Sequence, residues 1–283
     1  MPPLLSSYLR ILLSRKPRVT AGAVPLIESS LTGITIDRHR LQAYRSVCGE
    51  DPAASAVPIA FPHIMATPLQ IALVASNAFP LNLLGVVHIR NEIVQSRPVR
   101  ADETGDLHVS VCGDAETPRG QELRLQTGFS VGGQTIWSQT STLLARRNSH
   151  QAGRSAAAAA AGTTHSAREN LQSRRFPVES VTVRRYARVS GDFNPIHLAD
   201  PLARLFGFKR AIAHGMWSLA RCAALLEPAR FAAPCRLDVI FKAPVPLSSE
   251  VVLNSWTAGG DLGFELRDAR GVRCHLLGTL SLI

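Results

Sequence analysis

The segment Tyr186-Ala-Arg-Val-Ser-Gly-Asp-Phe-Asn-Pro-Ile-His197 sets a carboxylate and an imidazole, Asp192 and His197, on either side of an Asn-Pro turn. Proline disfavours helical backbone in the residue before it, so Asn194 is expected to be extended and Pro195 to turn the chain. Such a turn can aim Asp192 and His197 at one point, which is the minimum needed for general acid/base work near neutral pH. The Asn194 amide would then hold a water or fix the orientation of the pair. The plainer alternative is a good loop in which Asp192 and Asn194 bond only to nearby backbone. Spacing alone leaves both readings open.

A second segment, Ala213-His-Gly-Met-Trp217, follows at short range and starts a strongly apolar run. The pattern predicts a helix from Gly215 to about residue 226. The first N–H groups of a helix have no partners within it and point at whatever stands in front of them. A carbonyl oxygen gaining negative charge would be stabilised there, and glycine allows close approach. The competing reading is a glycine that merely permits tight packing. His214 beside it reads as a cap or a packed polar group rather than a catalytic one.

Outward from these segments, strands are expected over 237–241, 251–257, 263–268 and 272–282. The first half repeats this order. A short strand and turn lead into a helix near 34–44. An apolar helix over 62–77 follows, then strands over 86–94, 107–112, 122–131 and 136–144 with Gly-rich turns between them. Tyr44-Arg-Ser-Val-Cys-Gly49 mirrors 186–191, Pro62-His-Ile-Met65 mirrors 213–216, and Arg97-Pro98-Val99 mirrors Ala243-Pro244-Val245. Order is kept while identity is weak, as in a duplicated domain. The copy at Glu50 has no Asn-Pro-x-His after it, so a single site per chain is expected. Residues 147–175 hold a polyalanine run flanked by Gly, Ser, Thr and Arg, without apolar periodicity, and are expected to be an exposed linker. The predicted division is therefore an N-terminal segment 1–18, a first domain 19–146, the linker 147–175 and a second domain 176–283.

The chain has 283 residues, of which 46% are hydrophobic and 18% charged, which excludes a largely disordered protein. No run reaches the ~20 apolar residues of a membrane helix. Residues 1–18 carry an apolar stripe with its basic cluster after it, the reverse of a secretory signal. This segment is expected to be a short amphipathic helix, packed on the body or lying weakly on a membrane surface; an organellar transit peptide is the alternative. Five scattered cysteines without CxxC spacing signal neither a zinc site nor a disulfide framework, so a reducing cytoplasm is expected. The net charge of +10 suggests nucleic acid at first sight, but the basic residues do not interleave with aromatics, and no stacking platform results.

The segment 186–197, with Phe206-Gly-Phe-Lys-Arg-Ala-Ile-Ala-His-Gly-Met216 after it, resembles the hydratase motif of MaoC-like proteins, the (R)-specific enoyl-CoA hydratases. The resemblance covers most of 175–283, and its Gly-Asp-x-Asn-Pro-x-His core lacks no member here. It implies an α+β double hotdog, each repeat wrapping an antiparallel sheet around a central helix, with the first half as the degenerate partner. It also implies a hydro-lyase that adds water reversibly to trans-2-enoyl thioesters of CoA or acyl-carrier protein, giving (3R)-3-hydroxyacyl thioesters in fatty-acid or related metabolism. By the same resemblance Asp192 and His197 activate the water, Asn194 positions them and the Gly215 N–H polarises the thioester carbonyl. Lys209, Arg210, His214 and Lys242 become the substrate-contacting candidates, the basic ones for the phosphates of CoA. No metal or other cofactor is implied. The altered first half would give room to the acyl chain, lined by the helix around 64–74. Thioester hydrolysis on the same fold and a non-catalytic acyl-binding subunit remain as alternatives, as do a homodimer and a pseudo-dimeric monomer.

Overall fold

The computed structural model describes residues 26–79, 86–146 and 168–283. The expectations for 1–18 and for most of the linker lie outside these residues. The first half runs β1 (Ile27–Thr35), α1 (Arg38–Cys48), α2 (Phe61–Ala75), β2 (Val86–Gln95), β3 (Thr104–Thr117), β4 (Gly120–Val131) and β5 (Gln134–Arg146). The second runs β6 (Glu169–Val178), α3 (Ser180–Ser190), a 3-10 turn at Pro195–His197, and α4 (Asp200–Leu205). It continues with α5 (Gly215–Leu225), a second 3-10 turn at Pro228–Ala232, β7 (Cys235–Phe241), β8 (Ser249–Ala258), β9 (Asp261–Asp268) and β10 (Cys274–Leu282).

All ten strands form one sheet in the order β1-β3-β4-β5-β2-β7-β10-β9-β8-β6, every neighbouring pair antiparallel. Read from the outside inward, β1-β3-β4-β5-β2 and β6-β8-β9-β10-β7 are the same path. The two copies meet where β2 pairs with β7, with Glu92 opposite Asp238 at the centre. This is the duplication expected from the repeat, in the double-hotdog arrangement that the resemblance implied. One hydrophobic cluster runs through both halves, so the helices of each copy share a core.

Local sequence explains the helix ends. The Asp37 side chain accepts from the Arg40 N–H at 3.0 Å and caps α1, and Gly49 closes it in the left-handed region at φ 68°. Gly191 closes α3 in the same way at φ 79°, so the two repeats end their first long helix identically just before Glu50 and Asp192. Helix α2 is buried on nearly every face. Pro68 inside it cannot donate to the Ile64 carbonyl one turn back. Arg40 Nη2 donates to that carbonyl at 2.9 Å, while its other contacts, to Val189 O at 2.8 Å and Ser190 O at 3.2 Å, satisfy the end of α3. One arginine of the first half thus holds the segment that delivers Asp192.

Two sequence expectations shift. Strand β6 begins at Glu169, so the last part of the expected linker is an edge strand and the second half starts before residue 176. Arginines in that stretch hid its alternation: Arg175 pairs with Glu250 on β8 at 2.9 Å and most of the strand is exposed. The match of 62–65 to 213–216 also moves. Val57 N–H donates to Val99 O and Ala213 N–H to Val245 O, so Val57 holds the place of Ala213. The longer entry to α2 puts His63 inside its first turn, whereas His214 caps α5. No helix among the described residues is long and apolar enough to cross a membrane.

Candidate active site

The Asn-Pro turn folds back as the sequence suggests. Asn194 is extended at φ −54°, ψ 125°, and its side-chain oxygen accepts from the Ile196 N–H at 3.3 Å, capping the 3-10 turn that carries His197. Asp192 Oδ1 accepts from the Asn194 N–H at 3.1 Å, and Ser190 Oγ accepts from the Asp192 N–H at 3.1 Å. These are the local backbone bonds of the plainer reading. They also fix the orientation of Asp192, so the local bonds do not exclude the acid/base reading.

Tertiary packing then supplies what spacing could not. Asp192, His197 and His214 each bring a ligand-type atom within 4.8 Å of the others. His197 Nδ1–H donates to the Ile212 carbonyl at 2.8 Å, which leaves Nε2 as the proton acceptor. Burial pushes the His197 imidazole below its ordinary value, with Asp192 and the Ile212 carbonyl pulling part of the way back. The ring is therefore neutral and basic at neutral pH. His214 stacks on it with centroids 3.8 Å apart and 28° between planes, and donates from Nε2 to the Asp192 backbone oxygen at 3.0 Å. Its own value is driven down to about 3, by burial first and then by His197. A neutral His214 thus packs and aligns the pair, and its Nδ1 is buried without a partner.

Asp192 keeps 40% of its side chain exposed, whereas His197 and His214 are buried. The start of α5 closes the constellation. No side chain caps its N-terminus, and a Cβ on Gly215 would stand 3.2 Å from Phe241 Cε1. The glycine therefore lets Phe241 pack close against the start of α5, as the packing reading expects. Asp192, His197 and His214 also form a possible metal set by composition. The near-parallel rings, however, send their in-plane lone pairs side by side rather than toward one ion, which suits proton transfer better than coordination.

Lys209, Arg210 and Lys242 are all exposed, and Arg210 lies 4.0 Å from Asp200. Sequence reading missed three first-half residues that face this site, His63, His88 and Gln139. Met216, next to Gly215, accepts at Sδ from Gln139 Nε2 at 3.8 Å, and the His88 ring lies 4.9 Å from that of Phe241. Asp192 acts electrostatically on both histidines. Their only signal in the sequence is a polar residue within an apolar run.

The equivalent place in the first repeat is filled. Arg221 Nη1 donates to the carbonyls of Cys48 at 3.2 Å and Gly49 at 3.4 Å, occupying the space in front of Glu50. Burial pushes the Glu50 carboxyl up from 4.5 to about 7 against the pull of Arg45 and Arg221. The folded protein then keeps a proton that the unfolded chain has lost, so this group weakens the fold as pH rises through that window. Glu50→Gln is expected to stabilise the fold at about pH 8, by no more than about 3 kcal/mol, and to lose the advantage near about pH 4. Thermal melts at both pH values check it, and turnover should stay near wild type.

Comparison with known proteins places the chain in a family. A MaoC like domain is matched over residues 162–273. The 3-hydroxyacyl-thioester dehydratase X of Mycobacterium tuberculosis is 31% identical over 268 residues, covering 88% of this chain and 89% of that protein. The crystal structure of HtdX from the same organism superposes with a TM-score of 0.77 at 29% identity, covering 90% of this chain and 100% of that one. A conserved hypothetical M. tuberculosis protein described as a double hotdog matches with a TM-score of 0.56 at 14% identity, over 96% of this chain and 97% of its own, which speaks to fold alone. An antiparallel double hotdog with an Asp/His pair under a glycine-started helix defines the class. The chain belongs to the MaoC-like dehydratase family.

Proposed function

We propose that this protein is a hydro-lyase that interconverts trans-2-enoyl and (3R)-3-hydroxyacyl thioesters. The observation that carries the proposal is the gathering of Asp192 and neutral His197 with His214, the residue that opens α5 immediately before Gly215. Water is a poor nucleophile and needs a base, which His197 Nε2 and the Asp192 carboxylate offer together. The β-carbon becomes electrophilic only as charge gathers on the thioester oxygen, and the Gly215 N–H is the donor set to receive it. The proton taken from water returns to the α-carbon through the same pair, so hydration and dehydration share one path. Asn194 and His214 act by holding Asp192 in place. The chemistry needs no metal and no redox cofactor.

Lys209, Arg210 and Lys242 are assigned to the anionic carrier, whose phosphates they would meet at the mouth. The acyl chain is assigned to the first half, and a cytoplasmic location fits the unpaired thiols of Cys48, Cys222, Cys235 and Cys274. The test is direct. Purified protein with an enoyl-CoA should remove the enone absorbance without releasing thiol and should form the (3R) product. Release of free thiol would instead mark a thioesterase, and no change in either signal would leave a binding subunit.

A further inference from the structure

The first repeat has lost its acid/base residues, yet it keeps a patch of buried polar side chains where the second repeat is apolar. Strands β2 and β7 are related by the repeat, with Val99 and Val245 holding equivalent bonds. Counting back from these sets Asn91 against Leu237. The neighbouring strands follow. Asn91 faces Ser141 as Leu237 faces Leu280, and Ile93 faces Gln139 as Val239 faces Gly278. The second half therefore packs Leu237, Leu280 and Gly278 where the first has Asn91, Ser141 and Gln139. Asn91 is 0% exposed and Gln139 1%. Polar groups are not buried this deeply without a use or a partner.

These residues form two dyads side by side on one face of β2 and β5. His63 Nδ1–H donates to Gln139 Oε1 at 2.9 Å, leaving His63 Nε2 as an acceptor. Asn91 Nδ2 donates to Ser141 Oγ at 3.1 Å and approaches His88 Nε2 at 3.4 Å, and Asn91 Oδ1 has no partner. A bulge between His88 and Arg90 brings His88 to the same face as Asn91. His63 and His88 are only half-buried, so the patch borders accessible space. Its contacts to Met216 and Phe241, described above, put that space next to Gly215. Both imidazoles are held neutral by burial, His88 down to about 3, so the patch offers hydrogen bonds and no charge.

The atoms left over, His63 Nε2 and Asn91 Oδ1, are both acceptors, so the matching ligand group is a neutral donor. We propose that Asn91 and His63, supported by Ser141, Gln139 and His88, form a subsite that selects enoyl thioesters carrying a hydroxyl group along the acyl chain over plain alkyl chains. The subsite rests on the hydratase function proposed above and on the first half receiving the acyl chain. A hydroxyl placed there gives Asn91 Oδ1 its missing donor, whereas an alkyl chain leaves both acceptors dry and unpaired.

The experiment compares kcat/KM for trans-2-enoyl-CoA substrates of equal length, with and without a hydroxyl placed at successive carbons beyond the double bond. The wild type should prefer one hydroxylated isomer by about tenfold or more. Asn91→Leu, which installs the residue found at the equivalent place in the second half, should lower that preference by about tenfold. His63→Phe, at a half-buried position and of similar volume, should lower it in the same direction and serves if the first variant does not fold. An unchanged ratio in the folded variants, or an equal loss on every substrate, would overturn the subsite, the latter marking a structural or water-holding role. Wild-type turnover of alkyl substrates with no hydroxyl preference would remove the subsite and leave the hydratase standing. No turnover of any enoyl thioester would remove both.

Discussion

Asp192→Asn and His197→Gln are each expected to lower kcat by about 10²–10⁴, the range for a lost general acid/base group. Asparagine keeps the size of Asp192 and its Oδ1 bond from the Asn194 N–H, so the turn should survive. What is lost is the ability to take a proton. In His197→Gln the bond to the Ile212 carbonyl can be remade while the basic Nε2 disappears. Steady-state hydration assays of folded variants check both, and near-wild-type rates would remove the pair from the mechanism. The pH profile adds a signed expectation. Burial lowers the His197 value, and the base works only when neutral. The acid limb of kcat/KM should therefore lie below about 6.5, the ordinary histidine value. A limb above that value would mean that the Asp192 charge outweighs burial.

Trp217→Ala is expected to destabilise the whole chain by about 3–5 kcal/mol, the cost of emptying a large buried aromatic site. Trp217 is 2% exposed, packs edge-on against Phe176 with centroids 6.5 Å apart, and donates from Nε1 to the Val47 carbonyl at 3.1 Å. That bond runs from α5 of the second half to α1 of the first. Because one core and one ten-stranded sheet join the halves, denaturant unfolding should show a single transition, shifted as a unit. Trp217→Phe should cost less, about 1–3 kcal/mol, because the ring is largely kept and only the carbonyl is stranded. A transition that splits in two, with only the second half shifted, would show that the repeats fold separately.

The regular elements were legible because their signals are local. The apolar helix of 62–77 and the alternating strands follow from backbone and burial preferences that act within a few residues. Strand β6 was not legible, since an exposed edge strand rich in arginine carries no apolar alternation to detect. The basic candidates at Lys209, Arg210 and Lys242 were chosen by charge, and all three are exposed. Arg40 escaped notice altogether. Its role depends on Pro68 freeing one carbonyl and α3 ending beside another, a coincidence that exists only after three elements have met.

For the site itself, the amino-acid sequence determined the turn. Asn-Pro geometry and the short reach of Asp192 and Asn194 side chains fix 192–197 locally, and the glycine before Met216 fixes an open helix start. The tertiary structure decided which of these groups meet and in what state. His214 arrives from another element to stack on His197, and burial sets the charge of both rings. The first half then adds His63, His88, Asn91 and Gln139 across the β2–β7 seam. Proton affinity and cleft polarity depend on what surrounds a group in space, and those neighbours are brought together only when the two repeats close on one sheet.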